Sequence, residues 1–568
     1  MLSLFSHSWR TWRHAPAVAI LAISALALGV TATTAMYTFI QAVLLNPLPY
    51  ANPDRYLTVL STWRGLTVGS MWSYPNCVDF ERRNRTMAAL GCVGAQAENL
   101  AFGKQTRFAQ GNGVTPSLIQ ALGVPLEMGS WFTDAPTDLH SAVISDNVWR
   151  QFGAPRDIVG KHIALNSVPY VIRGVAKPWF RFPLRYAGDL WFPLNPSPGI
   201  LTSRDDHWLA CFAKMKPGVT EEQAKADMAR IAAELEREYP DIEKDHTAGV
   251  VSLLRSATDR VRPIFLLLLA AAIVLLLIAC GNVASLLLAR SVARAQETAV
   301  RVATGASAAQ LATQYIAEGL FVAVLGAGAG LVGSLALVKL VLHFASAEIP
   351  RAEEVGIDRN VLAVTLGCAV LCGVLFSLAP LWQALRTSPN AVLTNGIRST
   401  ASAGAQRTLG TFITAQIALS CALLVVAILC VQRLGVLSRL DAGFDPRDVT
   451  IFFTYIPSSR FQTDTARADY QSRLLRALET AHLGQAVGFT PFLPFSRNSS
   501  DEVIIPDHRD ISHISFSERV RLFDYQFRPV SPSIFAALRI PLISGRYLTD
   551  ADGNPKAPGV VIDETVAR

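Results

Sequence analysis

The chain has 568 residues, of which 51% are hydrophobic and only 17% charged. That charged share lies below the roughly 25% of soluble globular domains and excludes an ordinary soluble protein. A net charge of +7 raises the nucleic-acid class, but no zinc-finger spacing or basic-aromatic stripe accompanies it, and arginines beside membrane spans account for it.

Arg10 and Arg13 precede a charge-free run from Ala15 to Pro53. Its apolar part, Ala17 to Ile40, exceeds the about 7–15 residues of a signal-peptide core, and Pro16 suits a first helical turn. We read residues 16–40 as a first span, with a cleaved signal peptide as the alternative. Further charge-free stretches lie between Arg262 and Arg290, Gly319 and Val338, Asn360 and Leu385, and Thr408 and Gln432. Each supplies the roughly 20 apolar residues of a membrane helix, and helices alone satisfy their own backbone in lipid at this length. The expected order is a cytoplasmic N-terminus (1–15), spans at 16–40, 262–289, 318–339, 361–385 and 408–432, and connecting segments at 41–261, 290–317, 340–360, 386–407 and 433–568.

Arg10 and Arg13 place the N-terminus in the cytoplasm by the positive-inside rule. Segments 41–261, 340–360 and 433–568 are then exported, and 290–317 and 386–407 are cytoplasmic. Arg290, Arg294 and Arg301, then Arg386, Arg398 and Arg407, lie inside; Lys339, Arg351 and Arg359 fall outside, so charge bias alone is weak.

The exported segments read as mixed α+β. Val143-Ile-Ser and Tyr170–Val175 are short β-rich runs bounded by turn residues. Thr220, with Gln223 three positions on, forms a capping box for a helix through Tyr239. Ala224, Met228, Ile231, Ala232 and Leu235 supply its apolar face, read as core packing. A comparable helix is expected over Asp464–Leu483. Val114–Gly129 aligns without a gap on Val530–Gly545 at an offset of 416 residues, and the register continues through Thr133-Asp134-Ala135 and Thr549-Asp550-Ala551. Such a repeat means a duplicated domain rather than a solenoid, whose period is about 20–50 residues. The fold class is therefore a multi-pass α-helical membrane protein with two extracytoplasmic α+β domains, the second incomplete, as in a truncated duplication.

Eight cysteines do not make a disulfide scaffold, because Cys280, Cys368, Cys372, Cys421 and Cys430 lie in spans as small apolar residues. Of the exported three, Cys77, Cys92 and Cys211, a Cys77–Cys92 disulfide is less favoured than free buried thiols. No phosphate loop, nucleophile elbow or zincin helix occurs. His140, His162, His207, His246, His508 and His513 are read as surface or packing residues, and Asp501-Glu502 and Asp507–Asp510 as solvated acidic loops. We expect no catalytic centre, cofactor or metal of the chain's own. Asn282 and Gln416 are polar within spans, but no Asp, Glu or Lys lies deep in any, against an ion-coupled transporter. Gly326, Gly328, Gly330 and Gly333 give the third span small-x-x-x-small spacing, read as helix packing.

The segment after the second span carries the sharpest signal. Arg294, Glu297 and Arg301 share one helical face, Gly305 ends that helix, and a second one climbs through Leu311, Tyr315 and Ile316. A charged elbow of this kind suits docking to a soluble cytoplasmic protein; the plainer reading is an interfacial helix that only anchors the hairpin. Here the chain resembles the permeases of macrolide-exporter and lipoprotein-release ABC transporters, the FtsX-like family. The family pattern R-x-x-E-x-x-x-R-x-A-x-G-A is matched by Arg294, Glu297, Arg301, Ala303, Gly305 and Ala306. Leu44–Tyr50, Pro53-Asp54-Arg55, Ser73-Tyr74-Pro75, Gly160-Lys161 and Gly174-Val175 fit the MacB-type periplasmic core of the same group. Doubling of the unit is similar to the duplicated orphan permeases, with the second unit here truncated.

The resemblance implies a bacterial inner-membrane permease whose elbow couples to a separate cytoplasmic ABC ATPase, with mechanotransmission or efflux as the outcome. A periplasmic adaptor, an outer-membrane channel and a dimer are partners it leaves open, beside membrane lipid. The rival class is a signalling or hydrolase-regulating scaffold of the same architecture.

Overall fold

The computed structural model of the protein describes residues 16–63, 66–103, 105–183, 188–294, 297–298, 300–301, 304–346, 348–386, 403–454, 456, 461, 463–482, 484–491, 494, 500–503, 524–553 and 559–567. Arg10, Arg13, Ala303, Arg398, His508, His513, the Asp507–Asp510 loop and most of segment 386–407 lie outside them. Two compact units result: the chain through Pro47 with Ala257–Arg439, and Leu48–Ser256 with Leu440–Arg568.

The first unit is helical. Its long helices are α1 (Pro16–Ile40), α2 (Arg262–Ala293), α3 (Ala308–Ala345), α4 (Arg359–Arg386) and α5 (Ala403–Arg439). All five are long and apolar enough to cross a membrane. Several run past the charge-free stretches. Helix α3 starts ten residues before the expected span because Ser307 and Gln310 form a capping box there, and a polar first turn extends a helix without extending its apolar run.

Helix α1 packs against both α2 and α3. A Cβ added to Gly29 comes within 3.0 Å of the Leu276 backbone on α2. On α3, Gly326 and Gly330 meet Leu26 and Val30 just as closely, and a Cβ at Gly333 reaches Thr31 Oγ1. Thr31 donates to the Gly330 carbonyl at 3.1 Å, as small residues at a helix seam permit. Polar groups in this unit pair with one another. Thr34 bonds Thr365 at 3.1 Å, and Gln416 of α5 donates to Asn282 of α2. Among the described residues, the most apolar window of α5 has none buried.

The second unit is built on strands β1 (Tyr56–Trp63), β2 (Leu66–Gly69), β3 (Met87–Phe102), β4 (Gln105–Val114), β5 (Met128–Gly129), β6 (Ser141–Ile144), β7 (His162–Leu165), β8 (Val168–Val175), β9 (Leu190–Pro193), β10 (Ala210–Met215) and β11 (His246–Ser252). They form one sheet in the order β11-β1-β10-β3-β4-β9-β6-β8-β5, with β2 on β1 and β7 joining β3 and β8. The β4–β9 and β6–β8 pairs are parallel and the rest antiparallel. The helix Glu221–Glu238 carries the capping box of Thr220 and Gln223 and buries Ala224, Met228, Ile231, Ala232 and Leu235. These side chains join a core with Val59, Trp72, Phe80 and Cys211.

The expectation of free thiols at Cys77 and Cys92 is corrected: they form a disulfide. The helix Tyr74–Arg83, capped by Ser73, lies on β3 and brings the two Cα atoms to 6.2 Å, within bonding range. Cys211 is a buried free thiol paired in register with Cys92.

Within residues 440–567, a helix runs over Asp464–Thr480 with Thr463 as its cap, and β12 (Ser500–Val503) pairs with β13 (Asp524–Phe527). Local contacts recur between the aligned stretches. Thr115 accepts the Cys92 N–H at its hydroxyl at 2.9 Å, and its own N–H donates to the Cys92 carbonyl. Ser531, its aligned counterpart, does both with Phe489. A Cβ on Gly91 would crowd Thr115 and Leu118, and one on Gly488 would crowd Ile534, which aligns with Leu118.

Candidate functional site

The elbow between α2 and α3 is a short helical turn closed by glycine. Glu297, Thr298, Val300 and Arg301 are helical. Gly305 adopts φ +100°, and the Ala306 N–H reaches back to the Arg301 carbonyl at 2.9 Å. This is the six-to-one bond of a Schellman ending, which needs a left-handed residue where Gly305 stands. Ser307 then caps α3 at once, so the reversal is stiff.

The structure divides the predicted docking face. Arg301 binds both neighbours, donating to Glu297 at 2.6 Å on its own turn and to Gln314 at 2.6 Å on α3. Arg294 lies 3.5 Å from Glu318, a carboxylate buried on α3. Both arginines thus clamp the elbow onto α3 rather than pointing clear of it. Surface is offered instead by Glu297, Thr304, Gly305 and Val300, an apolar side chain 51% exposed. Leu287, Arg290, Tyr315 and Pro380 of α4 line a small cleft beneath. Ala303 lies outside the described residues, while Ala306 follows the turn half-buried.

Sequence reasoning missed Glu318 and Gln314. Glu318 sits immediately before the charge-free stretch of the third span and so reads as an edge residue. Its place one turn beyond Gln314 on the same helical face was the available signal. Gly326, Gly330 and Gly333, read as packing residues, lie on the α1 seam, and Gly328 faces open space.

Residues 19–231 match the MacB-like periplasmic core domain, and residues 269–389, which contain the elbow, match the FtsX-like permease C-terminal domain. The chain is an FtsX/MacB-type ABC permease. The permease is 24% identical over 298 residues to the macrolide export ATP-binding/permease protein MacB of Salmonella typhimurium, covering 51% of this chain and 44% of the relative. MacB 1 of Yersinia pestis bv. Antiqua gives 24% over 294 residues with the same coverage. The permease therefore spans under half the length of the curated relatives it matches. Among solved structures, the periplasmic region of MacB from Actinobacillus actinomycetemcomitans is 13% identical, with 37% of this chain and 92% of that chain covered and a TM-score of 0.28. The extracellular domain of the noncanonic ABC-type transporter YknZ from Gram-positive bacteria is 10% identical, with 34% and 98% covered and a TM-score of 0.27.

Proposed function

We propose that this permease is the membrane subunit of a mechanotransmission complex in the bacterial inner membrane, driven by a separate cytoplasmic ABC ATPase that docks on the elbow at Arg294–Ala306. The observation that carries the reading is the double clamp of Arg294 on Glu318 and Arg301 on Gln314. A push on the elbow passes directly into α3 when the two are joined by charged and polar pairs and a stiff turn. In this reading the five apolar helices all span, the N-terminus is cytoplasmic, and residues 41–261 and 433–568 are exported. The recurrence of the Thr115–Cys92 contacts at Ser531–Phe489 supports a second copy of the same core within residues 433–568. ATP-driven closure changes the posture of the exported domains, with extrusion of a periplasmic substrate as the work done.

The motion needs ATPase contacts that differ between two states. Glu297, Val300 and Thr304 are the exposed groups available for them. The test is co-purification of the tagged permease with its ATPase. Val300→Asp and Glu297→Lys each weaken association at least tenfold, without loss of folded protein, because an exposed i,i+4 pair contributes only about 0.3–0.5 kcal/mol. Undiminished association in both variants removes the elbow from the mechanism. Substrate accumulation in cells with and without the gene separates export from regulation of an envelope hydrolase.

A further inference from the structure

Beside β1 and β11, His207 converges on Glu243 and His246. His246 opens β11 and is 3% exposed. Its ring is stacked between Trp63 and Trp72, with centroids 3.9 and 4.7 Å away. Nδ1 lies 2.6 Å from Glu243 Oε2, and Nε2 lies 2.7 Å from Ser61 Oγ. Glu243, also buried, accepts a second bond from Asn76 Nδ2 at 2.8 Å. Asn76 is held in turn by Arg204 at 2.6 Å.

His207 completes the group from the segment before β10. Its Nδ1 is 3.0 Å from the Asp205 carbonyl. A carbonyl only accepts, so Nδ1 carries the proton and Nε2 keeps its lone pair. That Nε2 is buried and, among the described residues, has no hydrogen-bond partner. A buried acceptor without a donor is costly and calls for an explanation. One ligand atom each from His207, Glu243 and His246 lies within 4.8 Å of the other two.

We propose that His207 Nε2, His246 Nδ1 and a Glu243 carboxylate oxygen form a binding site for a transition-metal cation of the zinc type. Two imidazoles and one carboxylate are the donor set that suits Zn2+ rather than Mg2+ or Ca2+, which prefer oxygen ligands. Three protein ligands leave a fourth position for water or a substrate group. The second shell is already in place, with Asp205 behind His207, Ser61 behind His246, and Asn76 behind Glu243. On binding, the His246 proton passes from Nδ1 to Nε2, and Ser61 turns from donor to acceptor, so no group is left unpaired. The ion ties together the loop before β10, the turn after the helix Glu221–Glu238, and the start of β11.

The full chain, purified in detergent and stripped with a chelator, is titrated with Zn2+ alone by calorimetry. One ion per chain is expected, with His207→Ala weakening binding by more than the roughly 10–100-fold that loss of an outer-shell partner costs, and His140→Ala, beside Tyr170 and outside the cluster, binding as the parent does. Zn2+ also raises the Tm of the parent and not that of His207→Ala. Independently of any variant, Co2+ loaded into the parent gives the visible absorption of a low-symmetry nitrogen–oxygen site. Equal Zn2+ binding by the parent and His207→Ala, or a Co2+ spectrum identical to that of the aquo ion, overturns the proposal.

Discussion

Trp131 and Tyr547, 416 positions apart, make the same hydrogen bond. The Trp131 indole donates to the Val124 carbonyl at 2.8 Å, and the Tyr547 hydroxyl to the Ile540 carbonyl at 2.7 Å. Val124 and Ile540 stand at the same offset. So do Gly123 and Arg539, both in the left-handed region at φ +63° and +53°, and Gly129 and Gly545 at +79° and +85°. The two stretches thus share backbone conformation as well as sequence, even where arginine takes a glycine's place at a steric cost.

Tyr547→Phe keeps the ring and removes the bond, at a cost of about 1 kcal/mol. Hydrogen exchange over residues 535–547 should quicken about fivefold, with residues 116–131 unchanged. An identical exchange pattern in the variant shows that the hydroxyl does not hold this turn.

Gly330→Ala places a Cβ 2.7 Å from that of Val30. Overpacking there should cost about 1–3 kcal/mol, read as a lower Tm in detergent. Gly328→Ala, which meets nothing within 4 Å, should be neutral or stabilising by up to about 1 kcal/mol from helix propensity. Equal effects at the two positions contradict the seam.

Denatured, unreduced protein should titrate six thiols, at Cys211, Cys280, Cys368, Cys372, Cys421 and Cys430. Cys77→Ser with Cys92→Ser opens a loop of separation 15, which lowers stability by about 3 kcal/mol. A count of eight thiols in the parent refutes the pairing.

Glu98 is buried on β3, and burial pushes its carboxyl up to about 7. A carboxyl raised in the folded state binds its proton more tightly there than in the unfolded chain. Its contribution is full below the ordinary carboxyl value of 4.5 and is lost as pH rises through about 7. Glu98→Gln should flatten the fall in Tm between pH 5 and 8. A parent profile already flat there rules out the shift.

Much of this architecture is legible in the chain. The capping box at Thr220 and Gln223 and the stripe behind it mark a helix from local chemistry alone. The apolar helices announce themselves by the absence of charge, but their ends do not, because Ser307 caps α3 amid polar residues. Pairings created by the sheet are another matter. Cys77 with Cys92 depends on a helix lying across β3, and His207 with His246 on the loop before β10 coming to rest beside β11. Neither carries a periodicity that a reader of sequence can follow. The elbow is intermediate: its charges and Gly305 stand out, whereas Glu318 offers only its spacing from Gln314, and its pairing with Arg294 depends on the turn folding back.

The glycine seam between α1 and α3 limits how this protein can move. Where Leu26, Val30 and Thr31 fill notches at Gly326, Gly330 and Gly333, no spare volume permits gradual sliding. The two helices either travel as one solid piece or skip a whole notch, so their displacement is counted in steps rather than fractions of an ångström.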